Sequence, residues 1–312
     1  MTPADLATQR RALRQGALLL PAPQLGTIAV RGGDRQTWLN GMVTCDVAKI
    51  PQRGGAYGFA VAKNGKLLAE LRVLFEDERI LLGAPRERLD MLREHFERYI
   101  IMEDAELADA SDEVTWLLAH GPAAADLVPV AREAGALAVA SVDTTGLGGA
   151  AIALPHDAVS AAIERLCRHD RALVALGSDE AWDTLRIEIG LPRWGVDFDD
   201  QNYPQEAGLE RLGVSFQKGC YLGQEAVFML QNRGHVKKKL VPLAIEGTAE
   251  LSAGAEITGP EGAAVGQVTS WVPSADAAEL IALGYVKYKQ ANPGNTLSVG
   301  GRAARVLGKP EA

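Results

Sequence analysis

Eight consecutive residues, Lys218-Gly219-Cys220-Tyr221-Leu222-Gly223-Gln224-Glu225, crowd a thiol, an ammonium, a carboxylate and two glycines into one short stretch. A thiolate is the form of cysteine that attacks electrophiles and ligates metals, and a cation two residues away favours that form. Gly219 and Gly223 free the backbone to take positive φ or to approach another segment closely. The chemistry on offer is nucleophilic attack, transient ligation or partner exchange by Cys220, assisted by Lys218. The plainer alternative is a tight turn around a buried cysteine, since free Cys is among the most buried residue types. Val214 and Phe216 read as a strand-like approach, and the apolar run from Ala226 to Leu230 makes the stretch a loop leading into a helix or a strand.

Other side chains with chemical capacity lie outside this stretch. Glu70 sits on the return strand of a hairpin, either as a reactive carboxylate or as a solvated strand residue. Glu188 falls off the Trp182, Leu185 and Ile189 stripe of a helix, where a surface ion pair with Arg186 or Arg193 is the simplest role. From Arg233 onward the chain is basic (His235, Lys237, Lys238, Lys239). That run is either a charged strand edge that discourages pairing or an anion-binding patch for a polyglutamyl tail or for RNA phosphates.

The elements that must position these groups follow from length and pattern. With 312 residues the chain is long enough for two or three packed units, and 47% apolar residues supply full cores. The net charge of −8 argues against non-specific adhesion to nucleic acid or anionic membrane. Cys45, Cys167 and Cys220 are widely spaced, form no chelating pair, and suit a reducing compartment. No tightly bound metal is expected. The N-terminus carries no signal-like apolar core, and no run of 18 apolar residues predicts a membrane span. A soluble cytoplasmic protein is expected.

Periodicity predicts a helix from Pro3 to Gln15, a strand-like Ala17-Leu18-Leu19-Leu20, and a strand at Ile28-Ala29-Val30. Asp34 is read as the N-cap of a helix through Trp38 and Leu39. Trp38 is read first as a core residue and second as the wall of a ligand cavity. Ala56 to Val61 and Leu67 to Phe75 form a hairpin about Asn64-Gly65. Helices follow at Pro85 to Tyr99, Gly121 to Ala134 and Asp157 to His169, the last with Cys167 inward. Strands follow at Thr115 to His120, Leu137 to Val142 and Gly149 to Leu154. Strand pairs alternating with helices, twice over, indicate α+β units with antiparallel sheets, and Gly146-Leu147-Gly148-Gly149 lacks dinucleotide spacing. Ser178 caps the helix bearing Trp182 and Glu188. Residues 195–206 read as a long loop, which often carries function. Beyond about Val236 six short strands punctuated by Gly and Pro predict a small barrel. The expected division is residues 1–110, 111–235 and 236–312.

The stretch KGCYLGQE resembles the signature of the YgfZ family, folate-binding relatives of the glycine-cleavage T-protein. Trp182 to Pro192, Tyr203 to Leu209, Arg233-Gly234 and Gly266 to Ser270 resemble further blocks that both groups share, so the likeness spans about the whole chain. It implies an α+β, T-protein-like cloverleaf of two α+β units plus a C-terminal small β-barrel. It also implies tetrahydrofolate, or a one-carbon derivative, bound by a set drawn from Glu188, Trp182, Gly219, Tyr221, Gln224, Glu225, Arg233 and Glu70. A carboxylate such as Glu188 can accept two hydrogen bonds from the aminopyrimidinone edge of a pterin. Two departures stand out. T-proteins carry paired aspartates where this chain has Ala69 and Glu70, and YgfZ-like chains carry an arginine where this one has Met229.

Three functions follow. A YgfZ-like folate-binding protein would support assembly or repair of iron–sulfur enzymes, a tRNA-modifying one included, through Cys220. Its partners would be folate, iron–sulfur client or assembly proteins and, on weaker grounds, RNA, but no membrane. A folate-dependent aminomethyltransferase would use a carboxylate to orient the reacting nitrogen; Glu70 in place of an aspartate pair counts against it. The third is a non-catalytic scaffold that has lost folate.

Overall fold

The computed structural model describes residues 1–170, 172–232, 236–252, 254–276 and 278–308. Contacts divide the chain into two compact units, Met1–Ala181 with Leu212–Gln224, and Trp182–Arg211 with Glu225–Ala312.

The first unit holds two five-stranded sheets. One runs in the order Gly55–Val61, Leu67–Phe75, Ile80–Pro85, Leu25–Arg31 and Glu106–Asp109, with every neighbour antiparallel. Its hairpin turns at Gly65, whose φ of 81° is the left-handed conformation that the Asn-Gly pair anticipates. The other runs Val174–Leu176, Ala17–Pro21, Val114–His120, Gly149–Pro155 and Ala138–Ser141, and its first pair is parallel. The N-terminal strand Ala17–Pro21 thus joins strands that follow it by about a hundred residues or more. Trp116 is fully buried beside Gly83, where a Cβ would sit 2.7 Å from the indole, and its Nε1–H donates to Thr27 Oγ1 at 2.9 Å. Trp116 and Gly83 belong to different sheets, so this contact ties the two together.

Helices cover these sheets with one apolar face each. Leu6–Gln15 is capped by Asp5, whose carboxylate accepts from the Thr8 amide, so the helix starts three residues later than Pro3. Leu89–Glu97 buries Leu89, Leu92 and Phe96, and Val159–Cys167 buries Ala162 and Leu166 with Cys167 half-buried against the same core. Asp34 does not cap the helix Arg35–Asn40. Its carboxylate accepts from the Asp104 amide at 2.9 Å instead, a distant partner competing with the local one. Ser178 does cap, accepting from the Ala181 amide at 3.3 Å.

In the second unit Lys238–Glu246, Glu279–Lys287, Ala264–Pro273, Glu256–Thr258, Thr296–Val299 and Arg302–Val306 close into a six-stranded barrel. Its interior is filled by Leu243, Ile245, Ile257, Leu280, Val286 and Val299, among others. Alternation along each strand places them there. Among the described residues no helix is long and apolar enough to cross a membrane.

Candidate functional site: the thiol loop and its lysine anchor

Residues 218–221 are irregular, Leu222 and Gly223 form a turn, and the helix Gln224–Asn232 follows. The expected strand-like approach at Val214 and Phe216 is a short helix, Glu210–Gly213, followed by irregular chain. Val214 is buried and Phe216 half-buried, so both are apolar to pack.

The loop is pinned to the segment after the helix Arg35–Asn40. Lys218 is buried, and its Nζ donates to the carbonyls of Asn40 (2.6 Å), Val43 (2.8 Å) and Cys45 (2.7 Å). A helix end leaves carbonyls without intrahelical partners, and a lysine that reaches them satisfies both the groups and the local dipole. An ammonium has three protons and here all three are taken. Burial pulls its pKa down to about 8, against Cys45 and Asp46, so it remains an ammonium at neutral pH. The Leu222 amide donates to Gly41 O at 2.9 Å, and the Ser215 amide to Thr44 O at 2.9 Å.

The two glycines of the stretch differ. Gly223 has φ 80°, and a Cβ there would lie 2.3 Å from Ala62 O, so both its conformation and its space demand glycine. Gly219 has neither constraint: its φ is not positive and a Cβ would meet nothing within 4 Å. Its carbonyl accepts from Gln224 Nε2 at 3.3 Å, bridging loop and helix. Tyr221 is buried with its ring 5.2 Å from Lys218 Nζ; burial raises its phenol, and the hydroxyl has no hydrogen-bond partner among the described residues. Cys220 and Glu225 are exposed.

Lys218 therefore holds the loop that carries Cys220, since its protons are committed to the three carbonyls. The ammonium lies nearer in effect to Cys45, a buried thiol that burial pushes up to about 11 although Lys218 pulls it down. Cys45 stays a protonated core residue, Cys167 is half-buried, and Cys220 is exposed.

Glu70 lies in a separate cluster of the same unit. Its Oε2 accepts from the Tyr57 hydroxyl at 2.8 Å and its Oε1 is 3.3 Å from Arg72 Nη1. The guanidinium sits 5.5 Å from the centre of the Tyr57 ring. Burial, then Glu70, raises the Tyr57 phenol well above its ordinary range, so it stays a donor. Glu70 is thus neither free nor simply solvated. Tyr57 and Arg72 were not singled out from the sequence, although a signal exists: Tyr57 pairs with Arg72 across the hairpin, and Glu70 lies on the same face two residues away.

His120, buried at the end of strand Val114–His120, titrates in the field of this cluster. Burial, then Arg72, lowers its pKa to about 4, with Asp143 opposing. An unfolded histidine titrates near 6.5. The unfolded chain therefore takes up a proton first as pH falls, and stability present above pH 6.5 is lost between about 6.5 and 4. The expected loss is on the order of 3 kcal/mol. Urea unfolding from pH 7 to 4 checks this: His120→Gln should remove one proton's worth of slope.

In the second unit Trp182 and Glu188 are half-buried on the helix Asp179–Glu188, Trp182 in its first half and Glu188 its last residue. Arg186 is not the surface partner expected for Glu188. It is buried, and donates to Asp183 (2.7 Å), Asp197 (2.6 Å) and Ser270 (3.1 Å). Asp197 also accepts from the Arg193 amide (2.9 Å), Ser270 Oγ (2.7 Å) and the Thr269 hydroxyl. This network joins the blocks around residues 182–192 and 266–270. Met229 is exposed on the helix Gln224–Asn232. Arg233, Gly234 and His235 lie outside the described residues.

Comparison with known proteins supplies the ancestry of these parts. Residues 4–154 match the GCVT N-terminal domain and residues 238–310 the glycine cleavage T-protein C-terminal barrel domain. The chain is 30% identical over 228 residues to the tRNA-modifying protein YgfZ of Klebsiella pneumoniae, covering 70% of this chain and 68% of that protein. This chain belongs to the glycine cleavage T-protein family. Within that family it is also 26% identical over 300 residues to an aminomethyltransferase of Rubrobacter xylanophilus, covering 91% of this chain and 79% of the relative. The glycine cleavage aminomethyltransferase T of Bartonella henselae shares the T-protein fold. Its TM-score is 0.80, at 22% identity, over 100% of this chain and 91% of that one.

Proposed function

We propose that this T-protein-family chain binds tetrahydrofolate or a one-carbon derivative. In this reading it serves iron–sulfur enzymes, tRNA-modifying ones included, as an accessory protein whose working group is the Cys220 thiol. The observation that carries the proposal is an exposed thiol on a loop pinned by a fully committed lysine, a turn amide and an obligatory glycine. A fold that invests a buried charge in holding one exposed cysteine still is suited to repeated encounters at that sulfur. The printed name of the Klebsiella relative, a tRNA-modifying protein, agrees with this reading. A cytoplasmic setting belongs to it as well, since three free cysteines suit a reducing compartment.

The residues present fit a folate. On one helix of the second unit Glu188 carries a half-buried carboxylate suited to an aminopyrimidinone edge, and Trp182 an apolar ring. Folate would supply the one-carbon carrier; the chain would bind and orient it. The aminomethyltransferase reading is weaker. Ala69 is buried, and the Glu70 carboxylate is already bound by Tyr57 and Arg72, which leaves no free acid in that hairpin to orient a substrate amine.

Calorimetric titration of tetrahydrofolate and its polyglutamate into wild type and Glu188→Ala tests the binding half. Micromolar binding by wild type that weakens at least about tenfold in the variant is expected, about 1.4 kcal/mol or more; no binding by wild type overturns the reading. For the thiol half, Cys220→Ser should keep the unfolding midpoint and folate affinity while abolishing rescue of iron–sulfur-enzyme activity in cells lacking this protein. An unfolded variant would return Cys220 to a packing role. Amine transfer from a lipoyl carrier by wild type would favour the aminomethyltransferase instead.

A further inference from the structure

The turn between the helix Leu89–Glu97 and the strand Glu106–Asp109 places two large apolar side chains in water. Ile101 is 83% and Met102 93% exposed. They are not there through looseness, because the amides of both donate to the Glu103 carboxylate, at 2.8 and 3.0 Å. Beside them lies a cleft of about 480 Å³ floored by Trp38, Met42 and Tyr99, with Asp34, Met102 and Glu103 at its edge. The floor is braced, since Trp38 Nε1–H donates to Tyr99 O at 3.1 Å. Contiguous exposed apolar surface around an open cleft marks an interaction site more often than chance.

The lip says what kind of partner. Asp104 lies beside Asp34, its carboxylate accepting from the Gly33 amide while its own amide donates to Asp34. Two carboxylates therefore line the cleft with a third next to them, and backbone donors hold Glu103 below the usual carboxylate range. Two cations lie nearby: Arg35, held by the carbonyls of Gly32 and Asp77, and Lys63, 5.9 Å over the Tyr99 ring. An apolar floor with an acidic lip complements an apolar side chain flanked by positive charge.

We propose that this cleft docks a partner protein segment that presents one large apolar side chain beside lysine or arginine. The docked segment sits close to the thiol loop through shared backbone. Gly41 borders the cleft and its carbonyl receives the Leu222 amide, while the carbonyls of Asn40 and Val43 hold Lys218. The proposal stands independently of folate and of any reaction at Cys220.

The test is fluorescence anisotropy with a labelled short peptide carrying a leucine–tryptophan pair flanked by lysines and arginines. Saturable micromolar binding at low salt is expected. Met102→Lys, at a position too exposed to disturb the core, should weaken it about tenfold. Glu103→Gln keeps an oxygen to accept the Ile101 and Met102 amides and removes only charge, and should weaken it about threefold. A glutamate-flanked version of the peptide should bind at least about tenfold less tightly. Absence of saturable binding, equal binding by Met102→Lys, or indifference to the peptide's flanking charge would each overturn the proposal. So would a wild-type dimer that Met102→Lys dissociates, because the occupant would then be a second copy of this chain.

Discussion

Asp197→Ala should destabilise the unit containing the barrel by about 3 to 5 kcal/mol, the cost of removing the fully buried one of a guanidinium's two counter-ions. The side chain of Asp197 is fully buried and that of Arg186 is 2% exposed. Their 2.6 Å contact is supported on both sides: Ser270 bonds to each, the Arg193 amide and Thr269 hydroxyl reach Asp197, and Asp183 reaches Arg186. Removing the carboxylate leaves the guanidinium to the half-exposed Asp183 and takes an acceptor from the Arg193 amide and the Ser270 and Thr269 hydroxyls at once. Urea unfolding measures the effect. The pair is not expected to be worth that much as a pair, because desolvating two charges offsets most of their attraction. Arg186→Met combined with Asp197→Leu should therefore lose far less than the two single changes summed. A loss below about 1 kcal/mol for Asp197→Ala would mean that the chain relaxes to let water reach Arg186.

Lys218→Met should cost about 4 kcal/mol in the other unit and loosen the thiol loop before it unfolds the whole. Methionine keeps much of the apolar stem but removes an ammonium that satisfies the carbonyls of Asn40, Val43 and Cys45. Each buried carbonyl left unpaired costs about 1–3 kcal/mol, and relief from burying the charge offsets part of the sum. Lys218→Arg should not rescue it, since a planar fork does not converge on three carbonyls as a compact ammonium does. Equilibrium unfolding gives the global loss, and amide exchange at Leu222, whose N–H is bonded to Gly41 O, gives the local one. Unchanged exchange there with a lowered midpoint would show that the lysine supports the core and not the loop. Rapid exchange at Leu222 together with lost cellular activity would tie the thiol's function to its anchoring.

Much of this architecture was legible residue by residue. The barrel strands announce themselves through alternation and Gly/Pro punctuation, and all six are found. Asn64-Gly65 places the hairpin turn and Ser178 starts its helix, because turn and cap chemistry act within three or four residues. Other features had no local signature. The destination of Lys218 is set by residues 173 to 178 positions away. The sequence alone put that ammonium beside Cys220, and the fold gave it to a helix end. Gly219 and Gly223 look equivalent in sequence, but only Gly223 lies against another segment, at Ala62 O. Asp34 fits the local rule for a cap and is drawn away by Asp104. Ala17–Pro21 reads as a strand but waits for Val114–His120 and Val174–Leu176 to supply its sheet. Arg186 resembles a surface residue until Asp197 and Ser270 close over it. Periodicity and turn chemistry are properties of neighbours along the chain, so the sequence by itself determined which elements form. Partners of buried polar groups are chosen when distant segments meet and water is excluded, so only the tertiary structure decided what the lysine, the carboxylates and the thiol each face.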